Sequence, residues 1–196
     1  MRYSQNKEQD YIVNYFNGVV GNLLDIGAND GKTFSNSLAL IELGWKATLV
    51  EPSPSAFKKL KELHKGNKNV KLVNRAVSDK TGTITLHDMG EHVGAGDSSL
   101  LATTVEAEKD RWFGTEFKPV QVKAVTYDTI ADNYDFITID AEGADIAILQ
   151  QIDLSNVKMV CVEWNNKPEI AEAFRAIVPR EMKEIYRSLE NIIYAR

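Results

Sequence analysis

Short apolar runs alternate with segments of helical periodicity along the first half of the chain. The runs at 22–26, 47–50 and 70–73 have the length and continuity of buried strands. A helix is predicted to begin at Pro54, and another over 33–43 has one apolar side formed by Phe34, Leu38 and Ile41. This order predicts crossover units in a parallel sheet.

The second half of the chain extends the same sheet. Apolar runs at 136–139 and 159–162 predict two further buried strands with a helix between them. The last two runs, 183–188 and 191–195, are separated by a tight turn and predict a closing antiparallel hairpin. We therefore expect an α/β fold with a mostly parallel, Rossmann-like sheet, whose ligand site lies at the carboxyl ends of the strands.

An insertion interrupts the repeat between the third and fourth strands of this sheet. Residues 83–86 and 120–124 predict an extra strand pair, and 88–119 form a long glycine-containing loop without sustained periodicity. Such a loop is typically a lid or binding loop, and a disordered insertion is the alternative. We expect one domain over 1–196, with a helical segment within 1–20.

Composition narrows the class of protein. The 196 residues are 43% hydrophobic and carry a formal net charge of −5, which gives no general attraction to nucleic acid. Cys161 is the only cysteine, so neither an internal disulfide nor a cysteine-based zinc site can form. The polar opening segment and the absence of an apolar run of membrane-spanning length predict a cytoplasmic protein without a membrane span.

The turn after the first strand is the most informative motif. It reads Asp25-Ile26-Gly27-Ala28-Asn29-Asp30-Gly31. Glycines at such a turn let the backbone approach a ligand closely, and asparagine tolerates a positive φ angle. The spacing acid-x-Gly-x-x-x-Gly is typical of S-adenosylmethionine sites, and this turn fits it without a gap.

Two other ligand classes use related turns, and both fit less well. A dinucleotide fingerprint needs glycine where this chain has Asn29 and Lys32. A P-loop needs four residues between its glycines, and only three separate Gly27 from Gly31. A P-loop-like nucleotide-binding or hydrolysing protein and a non-catalytic adenosine-binding module therefore remain as alternatives.

Acidic residues follow three of the predicted strands. Glu51 ends the second strand, where a carboxylate can accept the hydroxyls of an adenosine ribose and would repel a triphosphate. Asp140 and Glu142 follow the fourth strand, and Glu163 ends the fifth. These three are candidates for holding a cationic cofactor, for taking a proton from an acceptor hydroxyl, or for binding a metal. Turn and helix-start acids are the structural alternative.

Further motifs occur in order along nearly the whole chain. They are Tyr3-Ser4-Gln5, Val50-Glu51-Pro52, Ala76-Val77-Ser78-Asp79, Ser98-Ser99-Leu100, the segment 135–143 and Val162-Glu163-Trp164. With the glycine turn, this set resembles the FkbM-type methyltransferases. Thr138 departs from the pattern, because many relatives carry lysine there.

The resemblance implies a class I methyltransferase sheet and methyl transfer from S-adenosylmethionine to a hydroxyl of a sugar or another small metabolite. The acceptor would be a small molecule or a glycan. With the candidates above, it implies the catalytic residues Asp140, Glu142 and Glu163, and no metal ligand is assigned. The cofactor-binding candidates are Asp25, Gly27, Asn29, Gly31, Glu51, Pro52, Ala76, Val77 and Asp140.

Overall fold

The computed structural model describes residues 2–89, 100–111 and 116–196. The strands within these residues are β1 (Asn22–Ile26), β2 (Lys46–Val50), β3 (Val70–Val73), β4 (Ala76–Val77), β5 (Gly82–Asp88), β6 (Lys118–Val125), β7 (Phe136–Ile139), β8 (Met159–Glu163), β9 (Lys183–Arg187) and β10 (Asn191–Ala195). The helices are α1 (Glu8–Phe16), α2 (Leu38–Glu42), α3 (Pro54–Leu63), α4 (Asp145–Leu149) and α5 (Pro168–Ile177), with short 3-10 helices at Glu106–Arg111 and Tyr127–Thr129.

Seven strands form the central sheet in the order β3-β2-β1-β7-β8-β10-β9. The neighbours from β3 to β8 are parallel, and β10 is antiparallel to both β8 and β9. The predicted parallel sheet with a closing antiparallel hairpin is therefore confirmed. Because the order reverses between β1 and β7, the carboxyl ends of these two strands flank the crevice where such sheets bind ligands.

Both faces of the sheet are covered, as the short, mostly apolar strands predict. In β1, Leu24 packs in a cluster with residues of α4 and α5, while Leu23 packs on the opposite face with residues of α1, α2 and α3. Successive side chains of a strand point to opposite faces, so Asp25 lies on the same face as Leu23. No helix of the described residues is long and apolar enough to cross a membrane.

The inserted strands form a separate sheet of three strands in the order β4-β6-β5. The predicted pair is present, and both strands are longer than the apolar pattern indicates. The third strand, β4, was missed because two residues are too few for a periodicity to show. It pairs with β6 through Ala76 and Val77, which places these two residues beside the carboxyl end of β3.

The helix predicted over 33–43 is wrong in its first half, because α2 begins only at Leu38. Phe34 has a φ angle of 56° and forms an isolated parallel bridge with Ser4, a backbone state that no helix contains. The Asp30 carboxylate also accepts hydrogen bonds from the backbone N–H groups of Lys32 and Thr33, which favours a turn. Phe34 is consequently exposed instead of lying in an apolar stripe.

Part of the long loop has regular structure. Thr103 exchanges two backbone hydrogen bonds with His87 at the end of β5, and a 3-10 helix follows at Glu106–Arg111. The description of 88–119 as a loop without structure is therefore wrong for this stretch. Ser98 and Ser99 lie outside the described residues, and the lid role of the loop stays a prediction.

Candidate active site

A cavity of about 500 Å³ lies at the carboxyl ends of β1, β2, β7 and β8. This volume is in the range of sites that hold a cofactor-sized molecule. Every candidate predicted from the sequence except Gly31 lines it: Asp25, Gly27, Asn29, Glu51, Pro52, Ala76, Val77, Asp140, Glu142 and Glu163. The topology thus brings together acids that are far apart in the sequence.

Gly27 is needed for a reason that the sequence did not reveal. Its φ angle is +88°, and a Cβ atom there would lie 1.7 Å from the backbone oxygen of Asp140. The close approach is therefore to the neighbouring strand end, whereas the motif suggested an approach to the ligand. Gly27 still lines the cavity, so a ligand can contact its backbone as well.

Gly31 does not line the cavity among the described residues. Its φ angle is +79°, and a Cβ atom there would lie 2.5 Å from Cδ1 of Leu60 and 3.1 Å from Cδ2 of Leu63. Both leucines belong to α3. The structure explains Gly31 by its backbone conformation and by tight packing against this helix, and its predicted contact with a cofactor has no geometric support.

Asp25 is buried at the end of β1. The Ser37 hydroxyl donates a hydrogen bond to its Oδ2 atom at 2.5 Å, and burial raises the pKa of Asp25 to about 6 although this bond opposes the shift. Sequence reasoning missed Ser37, because the residue was assigned to a helix that begins earlier than α2. Its position between Asp25 and the start of α2 fixes the carboxylate at the cavity wall.

Glu51 joins two loops at the end of β2. Its Oε2 atom accepts a hydrogen bond from the backbone N–H of Asn29 at 2.9 Å, and its Oε1 atom accepts one from the N–H of Ser53 at 2.6 Å. Burial raises the pKa of Glu51 to about 8 despite these two donors. Asn29 has a φ angle of 48°, which confirms the predicted left-handed conformation.

The backbone groups that a P-loop would offer to phosphate have other partners. Asp30 accepts hydrogen bonds from the N–H groups of Lys32 and Thr33 at 2.8 and 2.7 Å and from the Thr33 hydroxyl at 2.8 Å. The N–H groups of Gly27 and Ala28 donate to the carbonyl of Val50 in β2. A carboxylate occupies the place where a phosphate would have to bind, so the geometry opposes the P-loop interpretation.

Asp140, Glu142 and Glu163 form a compact cluster of carboxylates in the cavity. Each contributes one oxygen, and these three oxygens lie within 4.8 Å of one another. Among the described residues, the buried Oε2 atoms of Glu142 and Glu163 have no hydrogen-bond partner. Such oxygens favour a positively charged ligand, which can be a metal ion or an organic cation.

The cluster holds protons more tightly than isolated carboxyl groups do. Asp140 is open to the cavity but otherwise enclosed by protein, and this enclosure with the nearby charge of Asp25 raises its pKa to about 7. Burial, followed by the charge of Asp140, raises the pKa values of Glu142 and Glu163 well above their usual range. Arg111 lies 3.9 Å from Glu142 and lowers the pKa values of the cluster in part.

A second residue missed from the sequence shapes the turn after β7. The buried Asp145 side chain accepts hydrogen bonds from the N–H groups of Ala141 and Gly143 at 3.0 and 3.1 Å. The Thr103 hydroxyl donates to the Glu142 carbonyl at 2.7 Å. Together these contacts hold Glu142 at a φ angle of 45°, a strained conformation of the kind that functional sites contain.

Comparisons with known proteins show the family of the chain. The model of the methyltransferase FkbM domain matches residues 25–190. The chain belongs to this family. The match begins at Asp25 near the end of β1 and includes β7 and β8 with all three carboxylates of the cluster, and it confirms the resemblance to this family. No curated protein matches the sequence of this chain.

Solved structures share the fold at low identity. A ribosomal protein L11 methylase from Lactobacillus delbrueckii subsp. bulgaricus is similar with a TM-score of 0.54 and 11% identity, over 96% of this chain and 76% of that one. The delta-N METTL16 MTase domain is similar with a TM-score of 0.51 and 12% identity, over 96% of this chain and 81% of that one. These likenesses show the Rossmann-like class I methyltransferase fold.

Proposed function

We propose that the protein transfers a methyl group from S-adenosylmethionine to a hydroxyl oxygen of a sugar or another small metabolite. Its family is one of methyltransferases. The observation that carries the proposal is the carboxylate cluster of Asp140, Glu142 and Glu163 at the floor of the cavity, beside the turn at Gly27. This arrangement can hold a cation and accept a proton in the same place.

The residues of the cavity fit the cofactor. S-adenosylmethionine has a sulfonium and an ammonium group, and the Oε2 atoms of Glu142 and Glu163, which accept no hydrogen bond from the described residues, are suited to such positive charges. Glu51 lies two strands from Asp140 in the order β2-β1-β7, about 10 Å away at the usual strand spacing. This separation supports assigning the ribose to Glu51 and the cationic end to the cluster. When bound, the cofactor supplies an electrophilic methyl group.

Asp140 is the group that we assign to the acceptor proton. A hydroxyl oxygen must lose its proton as its new bond to carbon forms, and a positioned base with a pKa near the working pH is effective in this role. Asp140 is open to the cavity and has a pKa of about 7. The hydroxyl proton passes to a carboxylate oxygen of Asp140, while Glu142 and Glu163 orient the reacting groups.

Calorimetry and methyl transfer test this function separately. We expect S-adenosylmethionine to bind the purified protein and ATP with Mg²⁺ not to bind. Transfer of labelled methyl groups is then measured on a panel of hydroxylated metabolites and oligosaccharides, with and without added Mg²⁺. Binding of ATP without binding of the methyl donor would contradict the proposal, and transfer only in the presence of Mg²⁺ would assign the cluster to a metal.

A further inference from the structure

We propose that one wall of the cavity, formed by Gln5, Phe34, Asn165, Asn166 and Leu189, binds the acceptor and that its ligand is an uncharged ring with several hydroxyl groups, as in a pyranoside. All five residues line the cavity. We call this set the acceptor wall. The inference rests on the proposed function and adds to it the residues that select the acceptor.

The strand order places most of the acceptor wall at the end of the cavity away from Glu51. From Glu51 in sheet order, the carboxyl edge continues through β1 and β7 to β8 and β10. Asn165 and Asn166 follow β8, and Leu189 lies in the turn between β9 and β10. If the adenosine lies at Glu51 and the reacting groups at Asp140, the remaining space toward β8 and β10 belongs to the acceptor.

The parts of the acceptor wall are joined by direct contacts. Phe34 pairs with Ser4 through a backbone bridge, and the Asn6 side chain donates to Glu190 Oε2 at 2.7 Å. The Glu190 carbonyl in turn accepts hydrogen bonds from the N–H groups of Trp164 and Asn165. The opening segment with its Tyr3-Ser4-Gln5 motif therefore ties the Phe34 turn to the closing hairpin, and this gives the motif a role in shaping the cavity.

Three of the six non-glycine residues with a positive φ angle in the described part of the chain belong to the acceptor wall. Phe34, Asn165 and Asn166 have φ angles of 56°, 52° and 53°. Asparagine tolerates this region, but for a bulky aromatic residue it is a rare and costly conformation. Phe34 is also 48% exposed, so burial of its ring does not offset this cost, and the neighbouring apolar side chain of the wall, Leu189, is 66% exposed. A bound ring that covers Phe34 and Leu189 would account for the placement of both.

The chemistry of the acceptor wall indicates the class of ligand. Phe34 and Leu189 provide apolar area for the C–H face of a saturated ring. The amides of Gln5, Asn165 and Asn166 can each donate and accept hydrogen bonds, which suits hydroxyl groups.

None of these five side chains is charged, and the carboxylate cluster lies beside them. Two arginines line other parts of the cavity: Arg75 follows β3 on the Glu51 side, and Arg111 lies 3.6 Å from Glu108 and 3.9 Å from Glu142. Because the acceptor wall itself contains no cation, phosphorylated or carboxylated acceptors are disfavoured.

The test uses saturation-transfer NMR on the protein loaded with S-adenosylhomocysteine, which prevents turnover. The probes are the methyl glycosides of glucose, galactose, mannose, fucose and rhamnose, with glycerol and glucose 6-phosphate for comparison. We expect at least one glycoside to receive saturation and the other two probes to receive none. Phe34→Asn should weaken this binding at least tenfold because asparagine keeps the backbone angle and removes the ring, and Phe34→Tyr should retain it.

Leu43→Asn is the matched control, since Leu43 is exposed in another part of the structure and should leave binding unchanged. The inference would be overturned if none of the five glycosides binds the protein. It would also be overturned if Phe34→Asn binds a glycoside as tightly as the unmodified protein does. Calorimetry with S-adenosylmethionine on the same samples separates the two proposals. If the cofactor binds and no glycoside does, the acceptor wall alone is wrong, and if the cofactor does not bind, the proposed function is wrong.

Discussion

The backbone oxygen of Asp140 lies where a Cβ atom of Gly27 would be, with 1.7 Å between the two positions. The relationship joins the glycine turn after β1 to the carboxylate cluster after β7. These strands are neighbours in the sheet, and Asp140 donates its N–H to the carbonyl of Ile26 at 2.9 Å. The position of the proposed base therefore depends on the absence of a side chain at Gly27 in the glycine turn.

The substitution Gly27→Ala should strongly destabilise the fold and abolish methyl transfer. The new Cβ atom must displace the backbone of Asp140, which is not a flexible side chain, and alanine is also strained at a φ angle of +88°. Together these effects should lower the free energy of unfolding by roughly 2–5 kcal/mol. Denaturant unfolding followed by circular dichroism measures this change.

Gly66→Ala is the matched control for this substitution. Gly66 has a φ angle of +79°, but a Cβ atom there meets nothing within 4 Å. Its cost should be the backbone strain alone, roughly 1–2 kcal/mol, with methyl transfer retained. If both variants lose the same unfolding free energy, the close approach to Asp140 contributes nothing to the cost of Gly27→Ala.

The core of the fold was predictable from the sequence because its signal is local. β1, β3 and β7 are short, mostly apolar runs and were predicted at the bounds that the structure has. The start of α3 at Pro54 was predicted as well, and the Ser53 side chain before it accepts a hydrogen bond from the N–H of Ala56. The start of α2 was not predictable in this way. It is set by the contact of Phe34 with Ser4, a partner distant in the sequence.

The candidate site was predictable in its acids and less so in the residues that hold them. Strand ends mark Glu51, Asp140 and Glu163 because parallel strands place their carboxyl ends at one edge of the sheet. Ser37 and Asp145 act through contacts across turns, and no periodicity reports such contacts. A favourable spacing likewise cannot distinguish a glycine that approaches a ligand from one that packs against a helix, as Gly31 does.

Glu51→Ala should weaken the binding of S-adenosylmethionine by roughly 1–3 kcal/mol, the range for a lost charge-assisted hydrogen bond. Two effects contribute, because Glu51 is assigned to the ribose and also holds the N–H of Asn29. Calorimetry measures the change in the dissociation constant. Glu62→Ala, at an exposed position of α3, is the control, and an unchanged constant for Glu51→Ala would remove this residue from the cofactor site.

The ligand-free protein should be less stable at pH 8 than at pH 5.5. The pKa values of Asp25, Asp140 and Asp145 are raised to about 6, 7 and 7, and that of Glu51 to about 8. The folded state therefore binds these protons more tightly than the unfolded state does. The resulting stabilisation is complete below pH 4 and is lost as the pH rises through 6 to 8. A single group with a pKa of about 7 loses roughly 2 kcal/mol between pH 5.5 and 7, so the unfolding free energy should fall by at least this amount between the two test conditions.

Asp25→Asn tests one contribution to this pH dependence. The asparagine oxygen can still accept the hydrogen bond from Ser37, but the side chain no longer titrates. The decrease in unfolding free energy between pH 5.5 and 7 should become smaller in this variant. The exposed substitution Asp128→Asn should leave the decrease unchanged. A stability that rises between pH 5.5 and 8 in the unmodified protein would show that the buried acids are ionised at little cost.

Asp140→Asn should abolish most of the methyl transfer while leaving the fold and cofactor affinity intact. The amide has the shape of the carboxyl group but cannot accept the acceptor proton, so kcat should fall roughly 10²–10⁴-fold. The dissociation constant for S-adenosylmethionine should stay within a few-fold of that of the unmodified protein.

In the unmodified enzyme, kcat should rise with pH up to about 7 and then level, because Asp140 must be deprotonated to act as a base. A bound cation lowers the pKa of Asp140 from this value, so the rise should end no higher than about pH 7. This rise should disappear in the variant, whereas Glu142→Gln should keep it with a smaller loss of kcat. A variant that keeps both its turnover and its pH dependence would transfer the role of base to Glu163, which lines the same cavity and has a buried Oε2 atom without a hydrogen-bond partner among the described residues.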